Sequence, residues 1–287
     1  MDRPDLIVVG DVMADVSVSA GELATGGDVH GEVRIRPGGA GANAAVWAAD
    51  AGARVTLYGR VGEDLIGRLL RSALAARAVD AALSIDRGSR TGAMLVVRKG
   101  GERSMVADRG ANATLSPEDL PRRLVAGAVL VSGYLFFHPR SEAVAIAALA
   151  RSEGPVVAVD AASWPLLEAY GRDRFLGATR EATLILANAR EAETLTALPA
   201  IDAARALAQR YPMACVKLEA EGAVLAIEGR LIAAAAPPIQ PVDPTGTGDA
   251  FDGVLLAELS RGSDPEAALQ KACEAGARAA ASADIWP

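Results

Sequence analysis

Short apolar runs alternate along this chain with longer stretches whose apolar residues recur at helical spacing. LIVVG (6–10) predicts a buried strand, since a strand covered on both faces shows an unbroken apolar run. ANAAVWAADAG (42–52) predicts a helix stopped at Gly52, where a residue without Cβ accepts the left-handed turn that ends many helices. RVTLYG (54–59) reads as a strand, and EDLIGRLLRSALAARA (63–78) as a helix with acids at the positive end of its dipole. AVLVSG (128–133), a helix near 141–153, PVVAVD (155–160), ATLILAN (182–188), a helix near 201–210 and ACVKL (214–218) continue the pattern. Two helices near 249–260 and 264–282 complete it. Strands alternating with helices imply a mostly parallel central sheet covered on both faces, a three-layer α/β/α sandwich.

Two segments break this rhythm. In residues 12–18, Val12, Ala14, Val16 and Val18 share one face and Met13, Asp15 and Ser17 the other, which predicts a half-exposed strand with one wet face. TGAMLVV and ERSMVA (91–107) predict a hairpin around the turn Arg98-Lys99-Gly100-Gly101. The first segment, continued to about residue 37, and the hairpin predict a small β-layer inserted into one α/β domain spanning 1–287. A layer so placed can close over a cleft as a lid.

Composition narrows the class. The chain is 51% apolar, enough for a substantial core. Its net charge of −7 argues against nucleic acid as a partner, so an anionic ligand would need local donors or a metal. Cys215 and Cys273 stand far apart in apolar surroundings and are expected to be buried thiols of a reducing compartment. The stretch MDRPDLIVVGD carries no secretory signal pattern, and no run approaches about 18 strongly apolar residues, so the expectation is a cytoplasmic protein with no membrane partner.

The chemistry-bearing stretches begin with exclusions. A Walker A loop needs Gly before its Lys, but Lys99, Lys217 and Lys271 follow Arg98, Val216 and Gln270. GDVMAD after the first strand is not a dinucleotide fingerprint. Two histidines without a His/Cys cluster leave no transition-metal site or His-based triad.

What remains is glycine-rich. Gly246-Thr247-Gly248-Asp249 opens a helix, whose first N–H groups lack intrahelical partners and carry partial positive charge. The glycines let those donors approach an anion, and Asp249 sits beside them; a capped helix after a proline turn is the plain alternative. GGAGAN (38–43) is a second glycine-rich helix start, either a flexible junction or a backbone approach to a polyhydroxylated ligand, with Asn43 offering donor and acceptor. Asp15 can accept bonds from vicinal hydroxyls, or be a solvated surface carboxylate. Asn188 and Glu191 share a helix face after a strand, where their oxygens suit Mg²⁺ through water or a cap. Lys217 ends a strand, near a nucleotide phosphate or at the surface.

Together these stretches resemble the ribokinase (PfkB) family of carbohydrate kinases over nearly the whole chain. GGAGANAAVWAADAGARVTLYGRVGEDLIG (38–67) is similar to its N-terminal signature and DPTGTGDAFDGVLLAEL (243–259) to its C-terminal one. The resemblance implies a ribokinase-like sandwich with a β-sheet lid, transferring the γ-phosphoryl group of ATP to a hydroxyl of a sugar or sugar-like substrate. It implies Asp249 as the base and Gly246, Thr247 and Gly248 as the anion hole. Asp15, Gly38, Gly39 and Asn43 would hold the sugar, Asn188 and Glu191 Mg²⁺ and its waters, and Lys217 with Asn188 the nucleotide. A monovalent cation and a homodimer joined through the lid are further expectations. Thr247 stands where relatives have Ala, Glu219 where they often have Gly, and Asp160-Ala161-Ala162-Ser163-Trp164 keeps only the Asp of their D-x-N-x-R segment. A nucleoside acceptor such as pseudouridine or adenosine is the alternative, with Phe136, Phe137 and Trp164 as stacking candidates. A non-catalytic sugar-binding relative is a third reading. Arg34, Arg36, Arg90, Arg103 and Arg109, in or beside the lid, could meet a second phosphate or be solvated.

Overall fold

The computed structural model describes residues 3–20, 26–99 and 102–287. In chain order come β1 (Leu6–Val9), β2 (Met13–Ser19), β3 (Glu32–Gly38), α1 (Ala40–Asp50), β4 (Val55–Gly62), α2 (Leu65–Ala76), β5 (Val79–Asp86), β6 (Gly92–Lys99) and β7 (Glu102–Asp108). There follow β8 (Leu124–Val125), β9 (Ala128–Ser132), α3 (Glu142–Arg151), β10 (Ser152–Glu153), β11 (Val156–Asp160), α4 (Trp164–Tyr170), α5 (Arg172–Ala178), β12 (Leu184–Asn188), α6 (Ala189–Thr196) and α7 (Ala200–Leu207). The remainder is β13 (Met213–Lys217), β14 (Ala223–Ile227), β15 (Arg230–Ala234), α8 (Thr247–Ser260) and α9 (Pro265–Ala280).

Among the described residues the central sheet has nine strands in the order β15-β14-β13-β12-β11-β9-β1-β4-β5. It is parallel from β13 to β5, and β14 and β15 add an antiparallel edge. Its two faces are covered separately. Leu6 and Val8 of β1 join a core with residues of α1, α2, α8 and α9, while Ile7 and Val9 join a second core with α3 to α7. This is the α/β/α sandwich that the apolar runs imply. The alanine and glycine content of α1 and α8 has a packing cause: a Cβ at Gly253 would stand 2.3 Å from the Ala44 carbonyl oxygen, so a side chain there would force the two helices apart.

A second sheet, β3-β2-β6-β7, holds the two segments that broke the rhythm. β2 runs antiparallel to β3 and parallel to β6, and β6 and β7 form the expected hairpin. Gly100 and Gly101 of its turn lie outside the described residues, as do 21–25 within the first segment. The expectation of one wet face on β2 holds only in part: Val12 and Ala14 are buried as expected, but so are Met13 and Asp15 of the other face. Asp15 is only 8% exposed, whereas Val16 stands in a cross-strand row with Ile35, Leu95 and Val106, which are 57%, 38% and 63% exposed. The polar face is turned inward because the cleft lies there.

Candidate functional site

Parallel strands end together. Register places Asp160 of β11 beside Ser132 of β9, and Asn188 of β12 beside Lys217 of β13, so four polar residues stand at the carboxyl edge of adjoining strands. That edge is where open α/β sheets place ligands. The start of α8 meets it from above.

The α8 N-cap is Gly246 at φ 77°, a left-handed conformation suited to glycine, and no side chain caps the helix. No side chain competes for its first-turn N–H groups; that of Thr247 makes a long bond to the Pro244 carbonyl at 3.4 Å, and that of Ala250 closes the turn on the Gly246 carbonyl at 2.9 Å. Asp249 lies in that first turn, and Asp252 a turn further in is buried. Lys217 is neither a surface residue nor aimed into open space. Its Nζ donates to both oxygens of Asp252, at 3.0 and 2.8 Å, and lies 3.4 Å from Asp160. Burial works against the ammonium, but Asp252, Asp160 and Glu191 outweigh it and keep Lys217 charged.

Asp249 itself is pushed up to about 7 by burial, with Asp160 and Asp15 adding in the same direction while Asn43 and Lys217 oppose. A carboxylate poised there can accept a hydroxyl proton near neutral pH. Asn43, on α1, donates from Nδ2 to Asp249 Oδ2 at 2.8 Å. Its Oδ1 accepts from the indole of Trp286 at 2.8 Å, so the acceptor that the sequence offered to a ligand is turned to the indole instead. Trp286 carried no recognisable signal in the sequence; only its place in the fold brings it to Asn43.

Asp15 lines the neighbouring pocket with Ser17, Arg36, Val96, Asp243, Thr245 and Ile285. Burial pushes it up to about 7 despite Arg36. Gly38 is required by this carboxylate, since a Cβ there would lie 2.2 Å from Asp15 Oδ2. Gly39 and Gly41 serve packing too: Cβ atoms there would meet the backbone of Asp11 at 2.6 Å and of Gly10 at 2.7 Å. The first glycine motif thus seats α1 against β1 and the small sheet.

Asn188 and Glu191 form a reciprocal cap at the start of α6. Asn188 Oδ1 accepts from the Glu191 N–H at 2.9 Å, and the Glu191 carboxylate accepts from the Asn188 N–H at 2.8 Å and its Nδ2 at 2.7 Å. Glu191 is buried and pushed up to about 7 by burial and by Asp160, against Lys217 and Asn188. Among the described residues no group of three or more His, Cys, Asp or Glu side chains is arranged to hold a metal unaided.

Four of the five arginines in or beside the small sheet have acidic partners, and Arg36 also lines the Asp15 pocket. Arg109 donates to Asp11 at 2.6 Å, to the Tyr134 carbonyl and to Ser141, bracing β1 against the chain after β9. Arg34 pairs with Glu32, Arg36 reaches Asp284 at 3.7 Å and the Ala283 carbonyl, and Arg90 lies 3.9 Å from Asp108. The Arg103 side chain lies outside the described residues. The proposed stacking aromatics are also engaged. Phe136 and Phe137 pack on Phe175, and Arg190 covers the Trp164 ring at 4.7 Å.

A family profile described as pfkB family carbohydrate kinase matches residues 3–284. The chain is 28% identical to a ribokinase of Haemophilus influenzae, over 90% of this chain and 86% of that protein. The adenosine kinase structure from Sinorhizobium meliloti superposes with a TM-score of 0.89 at 24% identity, covering 100% of this chain and 96% of that one. An Arabidopsis thaliana ribokinase complexed with ribose and ATP gives a TM-score of 0.81 at 24% identity, covering 100% and 96%. At that identity both structures speak to the fold. No helix among the described residues is long and apolar enough to cross a membrane.

Proposed function

The chain belongs to the pfkB family of carbohydrate kinases, phosphotransferases with an alcohol acceptor, and from that premise we propose that it transfers the γ-phosphoryl group of ATP to a sugar hydroxyl with Asp249 as general base. One observation supports this reading most: Asp249, in the uncapped first turn of α8, faces Asn43 of α1 and senses Asp15 of β2. Asp15 and Asn43 hold the sugar, with the backbone of Gly38 and Gly39 behind them. The N–H groups of Gly246, Thr247 and Gly248 receive the transferring phosphoryl. The small sheet acts as a lid on a single domain, excluding water that would compete with the sugar.

Mg²⁺ fits the site on charge. Asp160, Glu191, Asp249 and Asp252 face one ammonium, Lys217, so a cation relieves the excess of buried negative charge. Glu191 already shares its oxygens with Asn188, which suits a hold through water. When bound, the ion neutralises phosphate oxygens. Lys217 acts on the nucleotide at a distance, through its field, because its donors are committed to Asp252 and Asp160.

A sugar is favoured over a nucleoside because Phe136 and Phe137 are packed on Phe175, while Trp164 is 38% exposed with Arg190 over its ring. The outer lid face, with Val33 and Ile35 on β3 and Val106 on β7, is the surface for a second copy of the chain.

The test measures ADP release over a panel of sugars, sugar acids, sugar phosphates and nucleosides, then repeats it with Asp249→Asn. Turnover with sugars, lost by about 10²–10⁴-fold in Asp249→Asn with ATP binding retained, is the expected result. Turnover within threefold of wild type sinks the base assignment, and activity on nucleosides alone sinks the sugar reading.

A further inference from the structure

We propose that Trp286 is a positioning residue that locks the Asn43 side-chain amide with its NH₂ toward Asp249, so that the ionised form of the base is favoured and Asn43 presents a donor, not its oxygen, on the Asp249 side. The inference rests on Asp249 being the base.

The chemistry of the two partners fixes the orientation. An indole N–H can only donate, and Trp286 Nε1 lies 2.8 Å from Asn43 Oδ1. The amide nitrogen must then point the other way, where it donates to Asp249 Oδ2 at 2.8 Å. A flipped amide would place Nδ2 against the indole N–H, two donors facing each other in a buried space where neither reaches water. Without the indole, the amide could turn and present Oδ1 to a protonated Asp249. The indole therefore selects the amide orientation that favours the charged carboxylate. With Oδ1 turned to the indole, the second Nδ2 hydrogen is what Asn43 presents on the Asp249 side. It suits a substrate oxygen acting as acceptor.

Trp286 is held firmly enough for this task. The carbonyl of Ile285 accepts from the Trp47 indole at 2.9 Å. Arg36 of β3 binds the Ala283 carbonyl and Asp284. Ile285 packs so closely on Gly246 that a Cβ there would stand 2.8 Å from Ile285 Cγ2. Residues 283–286 thus tie together α1, the small sheet and the start of α8, the three elements that carry Asn43, Asp15 and Asp249.

The test follows the Asp249 carboxyl in the full, ligand-free chain by carbon-13 NMR across pH. It compares wild type, Trp286→Phe, a chain with benzothienylalanine at 286, and Trp47→Phe. Benzothienylalanine keeps the ring size and lacks the N–H, so it reads the hydrogen bond even where Phe disturbs packing. Asp160, Lys217, Asp15, Asp252 and Tyr134 also face Asp249 and are the same in all four proteins. Asp249 is expected to titrate higher by about one pH unit in both 286 variants, and by clearly less in Trp47→Phe, which loosens the support of Trp286 but keeps its N–H. The acid limb of kcat/KM should move with it for any panel sugar that is turned over. An unmoved Asp249 in the 286 variants, or an equal move in Trp47→Phe, overturns the proposal. Undiminished turnover in Asp249→Asn instead overturns the base assignment beneath it.

Discussion

Lys217 and Asp252 form a two-oxygen ion pair between the end of β13 and the first turns of α8, with Nζ at 3.0 and 2.8 Å from the carboxylate. Only 14% of the lysine side chain and 3% of the aspartate side chain is exposed. Removing one partner strands the other charge in a buried place, whereas removing both need not. Lys217→Met should lower stability by about 3–5 kcal/mol, and Lys217→Met with Asp252→Leu by clearly less than the two single changes together. Chemical denaturation of the four proteins checks this. Additive losses would show that the pair is not coupled and return Lys217 to a role on the nucleotide alone.

The two glycines of the α8 start should behave differently. A Cβ at Gly246 would meet Ile285 at 2.8 Å on a backbone at φ 77°. Gly246→Ala is therefore expected to cost about 1–3 kcal/mol of stability. At Gly248 the new Cβ would stand 3.5 Å from Lys217 Nζ, an ordinary contact. Gly248→Ala should fold as well as wild type yet lose turnover by about 10²-fold, since the methyl crowds the donors assigned to the phosphoryl. Thermal melts beside ADP-release rates separate the two. Full activity in Gly248→Ala would remove that glycine from the anion hole.

Much of this arrangement was readable in the residues. Apolar runs gave the central strands because parallel strands buried on both faces leave that trace. The edges were harder. β5 alternates buried and exposed positions and lacks a run, and β14 with β15 is an antiparallel hairpin whose turn, Glu228 and Gly229 both at positive φ, was the missed signal. Asp249, Asn43 and Asp15 announced themselves through glycine-rich context. Trp286, Arg109 and the Lys217–Asp252 pair did not, because each acts through a partner at least 35 residues away in the chain. The burial of Asp15 has the same origin: alternation shows that two faces differ, but not which one the cleft occupies.

Beyond Ala14 the small sheet turns an apolar face outward, with Val33 at 60%, Ile35 at 57% and Val106 at 63% exposed. A surface of this kind is unusual on a monomer unless something covers it. Sedimentation should give a dimer for wild type and a monomer for Ile35→Lys with Val106→Lys, both changes lying in one cross-strand row. A monomeric wild type at micromolar concentration would sink the lid-to-lid dimer.

The cleft carboxylates also set how stability depends on pH. Asp15, Asp249 and Glu191 titrate at about 7 in the folded chain, against ordinary values of 3.8, 3.8 and 4.5, with burial as the leading cause in each. Between about pH 4 and 7 the folded protein keeps protons that the unfolded chain has released, so its stability falls as pH rises through that window. Asp5, Asp64, Asp86 and Asp119 are shifted downward and act below it. His138, lowered first by burial and then by Arg109 and Arg140, opposes the trend near neutrality as a single group. Lys217 stays charged throughout and contributes no slope there. The ligand-free chain should therefore melt at a higher temperature at pH 5.5 than at pH 8. Asp249→Asn should raise the melting temperature at pH 8 and flatten the profile, even as turnover falls. A melting temperature that rises from pH 5.5 to 8, or an Asp249→Asn chain less stable than wild type at pH 8, would contradict a base kept near neutrality by its own burial.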